Sequence, residues 1–181
     1  MRVISGKYKG RKLLGYDNEN TRPTMDRVKE SLFASIQNYI KDSVVLDLFA
    51  GTGALGIEAL SMGAKSAYLV DRDKKAYNII NNNINNIGID NCNILNMDYI
   101  EALKYYDKEN IKFDIIFLDP PYNSNYIEKS IELISKYNLL NDNGIIIVEN
   151  DNVNRIIFDE KYKTIKEKKY KDKWVVILKL I

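Results

Sequence analysis

The stretch VVLDLFAGTGALGIEALSM, residues 44–62, opens with an apolar run interrupted only by Asp47, passes through Gly51-x-Gly53-x-x-Gly56 and continues as an apolar helical period. A strand that is apolar on both faces belongs to a sheet covered on both sides, and a glycine turn leading into a helix is the opening unit of a doubly wound sheet. The same alternation continues downstream. SAYLVD reads as a strand, and a helix follows with Ala76, Ile80, Ile84 and Ile87 facing inward. CNIL is a weak strand, a helix lies near 98–106, FDIIFLD is a strand, a helix buries Ile127, Ile131 and Ile134, and IIIVEN is a strand. Upstream, TRPTMDRVKESLFASIQNYI places Met25, Val28, Leu32, Ile36 and Ile40 on one helical face, with Thr24 as its N-cap. The last stretch, YKTIKEKKYKDKWVVILKLI, is too short for another crossover helix and reads as a hairpin closing one edge. The expected class is α/β, a doubly wound, mostly parallel sheet with a C-terminal antiparallel hairpin. A basic N-terminal arm, residues 1–20, precedes a main domain at 21–181.

Composition removes several chemistries. The 181 residues include one cysteine, Cys92, and no histidine, so disulfide frameworks, Cys/His metal sites and histidine-activated nucleophiles are not expected, and no metal is assigned. The longest aliphatic run, Ile145 to Val148, is far below the roughly 18 residues of a membrane span, so a cytoplasmic protein without membrane contact is expected. Net charge is only +2, yet the first sixteen residues carry Arg2, Lys7, Lys9, Arg11 and Lys12 without one acid. The Asn-rich run IINNNINNIGIDN at 79–91 reads as coding bias laid over a helix.

In open parallel sheets, ligands bind at the carboxyl ends of the strands, so the residues just after each strand carry the functional signal. GxGxxG followed by Asp71 fits a dinucleotide fingerprint, but Asp47 ends the first strand where it would crowd an anionic pyrophosphate. A cationic ligand with a ribose suits the same acids better. S-Adenosylmethionine has an ammonium and a sulfonium for Asp47, ribose hydroxyls for Asp71 and an adenine amine for Asp98. Each acid taken singly also reads as a loop residue or helix cap.

The fourth strand ends in FLDPPY. A base amine is a poor nucleophile because its lone pair is delocalised into the ring. Asp119 and the Pro120 carbonyl can each accept one N–H, Pro121 forces the preceding residue into an extended conformation, and Tyr122 can stack on the base. The covalent route to pyrimidine C5 needs an attacking cysteine, and Cys92 falls in an Asn-rich loop away from both motifs. An exocyclic nitrogen is the better target.

On these residues the chain resembles the class I S-adenosylmethionine-dependent methyltransferases of base amines, and within them the bacterial guanine-N2 methyltransferases of small-subunit (16S) ribosomal RNA, the RsmD type. The resemblance runs through RVISGKYKGRKL, TRPTMDRVKESLF, VLDLFAGTGALGIEALSMGA, VDRD, FDIIFLDPPY and IIIVEN. It implies cofactor contacts from Asp47, Gly51, Thr52, Gly53, Asp71, Arg72 and Asp98, and target-base contacts from Asp119, Pro120, Pro121 and Tyr122. It also implies that Arg22 lies near the entrance and that the arm forms a small basic hairpin gripping RNA phosphates through Arg2, Lys7, Lys9, Arg11 and Lys12. The expected substrate is ribosomal RNA in an assembled or assembling particle, and the expected state is a monomer. Where the family tends to have a glycine after the tyrosine of the last hairpin, this chain has Tyr170-Lys171-Asp172-Lys173-Trp174, which leaves that turn open. The rival readings are an N6-adenine methyltransferase on DNA or RNA, a non-catalytic RNA-binding assembly factor, and an NAD-dependent oxidoreductase.

Overall fold

The computed structural model describes residues 1–16, 23–121, 125–150, 160–170 and 173–181, and for 23–25 the backbone alone. Among the described residues, five helices and seven strands follow one another as α1 (Pro23–Ile40), β1 (Val44–Asp47), α2 (Ala54–Ser61), β2 (Ser66–Val70), α3 (Lys74–Ile87), β3 (Cys92–Leu95), α4 (Tyr99–Lys108), β4 (Phe113–Leu118), α5 (Tyr126–Lys136), β5 (Leu140–Asn150), β6 (Tyr162–Tyr170) and β7 (Lys173–Leu180). One sheet holds all seven strands in the order β3-β2-β1-β4-β5-β7-β6. The first five are parallel, while β7 runs antiparallel to both β5 and β6.

Strand residues alternate between the two faces of a sheet, and the apolar runs divide accordingly. Val45, Ile115, Phe117, Ile145 and Ile147 point into a core closed by α1, α2 and α3, where Leu32, Ile36, Ile57 and Ile80 meet them. Leu46, Ile116, Leu118, Ile146 and Val148 point the other way, onto Leu103, Tyr106, Ile127, Ile131 and Ile134 of α4 and α5. Continuous apolar strands are therefore two half-cores read in alternation.

Two local expectations change. Thr24 is not the N-cap of α1, because the helix already begins at Pro23, whose fixed φ and missing N–H suit the first helical position. Cys92 is not in a loop; it is the first residue of β3 and pairs with Ala67 of β2. Residues 79–87 of the Asn-rich run form the later part of α3, which is capped by Asp73, whose side chain accepts from the Lys75 N–H, and ended by Gly88 in the left-handed region at φ 79°.

The arm folds back on itself through an antiparallel bridge between Arg2 and Lys12. Its inner residues Val3 and Leu13 enter the α1–α3 core, while Arg2, Lys7, Lys9, Arg11 and Lys12 stay exposed. Glu58 of α2, only 1% exposed, accepts the Ile4 N–H at 2.9 Å and the Ser5 N–H at 2.7 Å, and pairs with Lys29 Nζ of α1 at 2.9 Å. A buried carboxylate is tolerated when its lone pairs are used in this way. Gly6 sits at φ 78°, and a Cβ there would lie 1.8 Å from the Ser61 carbonyl oxygen. Gly6→Ala is expected to detach the arm from α2 at a cost of about 1–3 kcal/mol. The check is thermal melting together with hydrogen exchange, which should lose protection at Val3 and Leu13 and keep it in β1 and β4.

Candidate functional site

Asp47, Asp119 and Glu149 sit at the carboxyl ends of β1, β4 and β5, which are neighbours in the sheet. Asp47 is 1% exposed and neither of its carboxylate oxygens has a hydrogen-bond partner. Burial, and then the negative field of Asp119, push its carboxyl up to about 8, with Asp71 and Glu149 adding less. The Gly56 amide pulls the other way without making a hydrogen bond. An orphaned buried carboxylate is costly, and proteins that keep one generally use it.

A third of the Asp119 side chain reaches the surface, yet the protein packed around it still desolvates the group. That desolvation and the charge of Glu149 raise its carboxyl to about 7, against the pull of Lys173. Lys173 Nζ lies 3.1 Å from Glu149 Oε2 and 3.5 Å from Asp119 Oδ2. Pro120 is buried behind Asp119 and Pro121 is exposed.

The glycine turn is fixed from several sides. Gly53 takes φ 78° at the start of α2, a conformation that a side chain would strain. Asp71 accepts the Gly51 N–H on Oδ2 at 2.9 Å and the Asp73 N–H on Oδ1 at 2.8 Å. Each oxygen keeps a second lone pair, so Asp71 can shape the turn and still receive a ligand hydroxyl. Thr52 is buried, with its hydroxyl toward Met1 Sδ at 3.8 Å. Asp98 caps α4 by accepting the Ile100 N–H on Oδ1, so the helix-cap role occupies one of its oxygens. Arg72 turns toward α5, with Nη1 3.4 Å from the Tyr126 hydroxyl.

The proposed cofactor and target-base residues are thus brought to one end of the sheet, except for Tyr122, which with Arg22 lies outside the described residues; Arg2, Lys7, Lys9, Arg11 and Lys12 lie on the arm instead, where the Lys7 N–H bonds the Ser61 carbonyl at the far end of α2. Three contributors were missed. Glu149 obeys the same strand-end rule as the other acids and was legible on that basis. Lys173 reaches the site only through the antiparallel pairing of β7 with β5. Asn83, within the run ascribed to coding bias, is 1% exposed; it donates to the Thr52 carbonyl at 3.0 Å and accepts the Leu14 N–H at 2.7 Å, joining the glycine turn to the arm. An aromatic cluster also stands at these strand ends. Phe49 lies 5.4 Å from Tyr99 and 5.9 Å from Tyr126, measured between ring centroids.

S-Adenosylmethionine fits this donor set. The unpartnered Asp47 carboxylate calls for a cation, and a Cβ at Gly51 would meet nothing within 4 Å, so the backbone there is open to close approach. Because Asp47 is protonated near neutrality in the protein alone, its repulsion of a pyrophosphate is weaker than a fixed charge would give. A cation gains by ionising it; a pyrophosphate does not.

Sheet order and site together define the fold as that of a class I methyltransferase. The sequence model of the family described as conserved hypothetical protein 95 matches residues 1–179, and the chain belongs to that family, the RsmD family. The ribosomal RNA small subunit methyltransferase D of Haemophilus influenzae is 38% identical over 170 residues, covering 93% of this chain and 88% of the relative. Its namesake from Escherichia coli is 35% identical over 151 residues, covering 83% and 75%. Among solved structures, a candidate methyltransferase from Escherichia coli superposes with a TM-score of 0.88 at 30% identity over 99% of this chain and 97% of the other. A candidate methylase from Haemophilus influenzae gives 0.83 at 33% identity over 99% and 98%.

Proposed function

We propose that the protein transfers a methyl group from S-adenosylmethionine to the exocyclic N2 amine of a guanine in small-subunit ribosomal RNA, within an assembled or assembling particle. The observation that carries this reading is the buried, unpartnered Asp47 one strand away from Asp119-Pro120, beside the open backbone of Gly51. The family and the ribosomal RNA methyltransferase names of its relatives support the substrate class.

When bound, S-adenosylmethionine supplies an electrophilic methyl group. Asp47 and the turn from Gly51 to Gly53 would hold its cationic end, Asp71 its ribose and Asp98 its adenine, with Thr52 and Arg72 at the margin. Asp119 and the Pro120 carbonyl each accept one N–H of the target amine, which fixes the nitrogen and turns its lone pair out of conjugation. Tyr122 stacks on the flipped base. The amine loses its proton after methylation, when the nitrogen is cationic and acidic, to Asp119 or to water. Arg2, Lys7, Lys9, Arg11 and Lys12 of the arm, with Arg22, meet phosphates.

Mass spectrometry of nucleosides from small-subunit RNA of cells with and without the protein provides the test. Loss of one N2-methylguanosine per particle is expected. Unchanged N2-methylguanosine with loss of N6-methyladenine would overturn the assignment in favour of an adenine target.

A further inference from the structure

We infer that β6, the outer strand of the C-terminal hairpin, forms a second RNA-phosphate track that crosses α1 through Arg27 and meets the basic arm. This rests on the RNA methyltransferase reading and extends its footprint to the opposite flank of α1. From Tyr162 to Tyr170 the strand carries Lys163, Lys166, Lys168 and Lys169 against one acid, Glu167. All four lysines are exposed, and among the described residues none of them forms an ion pair.

Two of them are aimed. Lys166 Nζ donates to Ser35 Oγ and Lys168 Nζ to Ser31 Oγ, both at 2.8 Å. A hydroxyl orients an ammonium without neutralising it, and each ammonium keeps two further N–H groups for an anion. The two lysines are two residues apart on one strand, about 7 Å, so they can meet phosphates that follow one another along a strand.

Helical geometry joins this flank to the arm. Asp26 pairs with Arg2, and Arg27 lines a concavity of about 400 Å³ in which Arg2, Lys9 and Arg27 stand against two acids, Asp26 and Glu30, whereas Ser31 and Ser35 lie under β6. At 100° per residue, Arg27 falls between the arm-facing and β6-facing rows, and it is exposed. The track also points at the chemistry. Because β6 runs antiparallel to β7 and β7 antiparallel to β5, the Lys168–Tyr170 end of β6 lies at the carboxyl end of β5. There Tyr170 pairs with Lys173, whose Nζ lies 3.5 Å from Asp119 Oδ2. An RNA strand held along β6 is therefore led to the carboxylate that receives the base.

Lysines on an edge strand also discourage sheet-to-sheet aggregation, and the experiment separates the two roles. The full-length Lys166→Gln/Lys168→Gln variant, and separately Arg27→Gln, are titrated against small-subunit particles from cells lacking the protein and against protein-free small-subunit RNA. Salt is varied, and S-adenosylmethionine binding is followed in parallel. For the double variant we expect at least tenfold weaker binding to both RNA forms at low salt, a log–log salt slope smaller by about 1.5, and unchanged cofactor affinity. Arg27→Gln should lower the slope by about half as much. Unchanged affinity and slope with reduced solubility would overturn the track and leave edge protection. Weakening on particles alone would overturn it in favour of a ribosomal protein contact. A wild-type protein that binds cofactor but neither RNA form would overturn the underlying reading itself.

Discussion

Asp47→Asn is expected to resist denaturation better than the native protein and to lose affinity for S-adenosylmethionine by more than a hundredfold. The native carboxyl titrates at about 8 in the folded chain, against 3.8 as the ordinary aspartate value. The folded state therefore holds a proton that the unfolded state has released between about pH 4 and pH 8. Stability falls as pH rises through that window, and above it the full cost of a buried, unpaired carboxylate remains. The amide carries no charge at any pH, so the advantage of the variant grows from pH 4 to pH 8, by up to about 1.4 kcal/mol per pH unit. Urea denaturation at pH 5 and pH 8 measures this difference. Calorimetry of the native protein in buffers of different ionisation enthalpy should show close to one proton released per cofactor bound at pH 7. No proton release, or a variant less stable at pH 8, would remove Asp47 as the cation's partner.

Asp119→Ala is expected to lower kcat by about 10²–10⁴-fold and to leave cofactor binding nearly intact. A non-catalytic assembly factor would keep its cellular role after this change, so complementation of N2-methylguanosine in a deletion strain discriminates directly. The native carboxyl, raised to about 7 by burial and by Glu149, must be ionised to accept an N–H with full strength. Activity should therefore fall about tenfold per pH unit below that value and level off above it. Lys173 holds this group down, so Lys173→Met should move the acid limb of the profile upward, and Lys173→Arg should restore it. A pH profile unmoved by Lys173→Met would show that the contact with Asp119 does not govern its ionisation.

Both residues were visible in the sequence because strand-end position is a local property. A run such as VVLDLF or FDIIFLD announces a buried strand, and the acid that closes its apolar part, Asp47 or Asp119, must lie at the carboxyl edge whatever the rest of the chain does. Asp71 and the glycines were legible in the same way, and Glu149 should have been. The start of α1 is local as well, because Pro23 at the first helical position displaces Thr24 from the cap. The start of β3 is not, because pairing with Ala67 of β2 draws Cys92 into the strand.

Other features had no sequence signal because they depend on pairs distant in the chain. Asn83 looks like one more asparagine until α3 packs its side chain between Thr52 and Leu14. Lys173 is one lysine among many until β7 enters the sheet antiparallel to β5 and places its ammonium between Glu149 and Asp119. Glu58 is an acid on an apolar helix until Lys29 and the amides of Ile4 and Ser5 close around it. Apolar periodicity and strand-end chemistry, properties of neighbouring residues, determined the class of fold and the acids of the site. Tertiary packing alone decided which charges are buried, which lysine holds Asp119, and how the arm and β6 flank α1, because desolvation and Coulomb energy depend on distance in space.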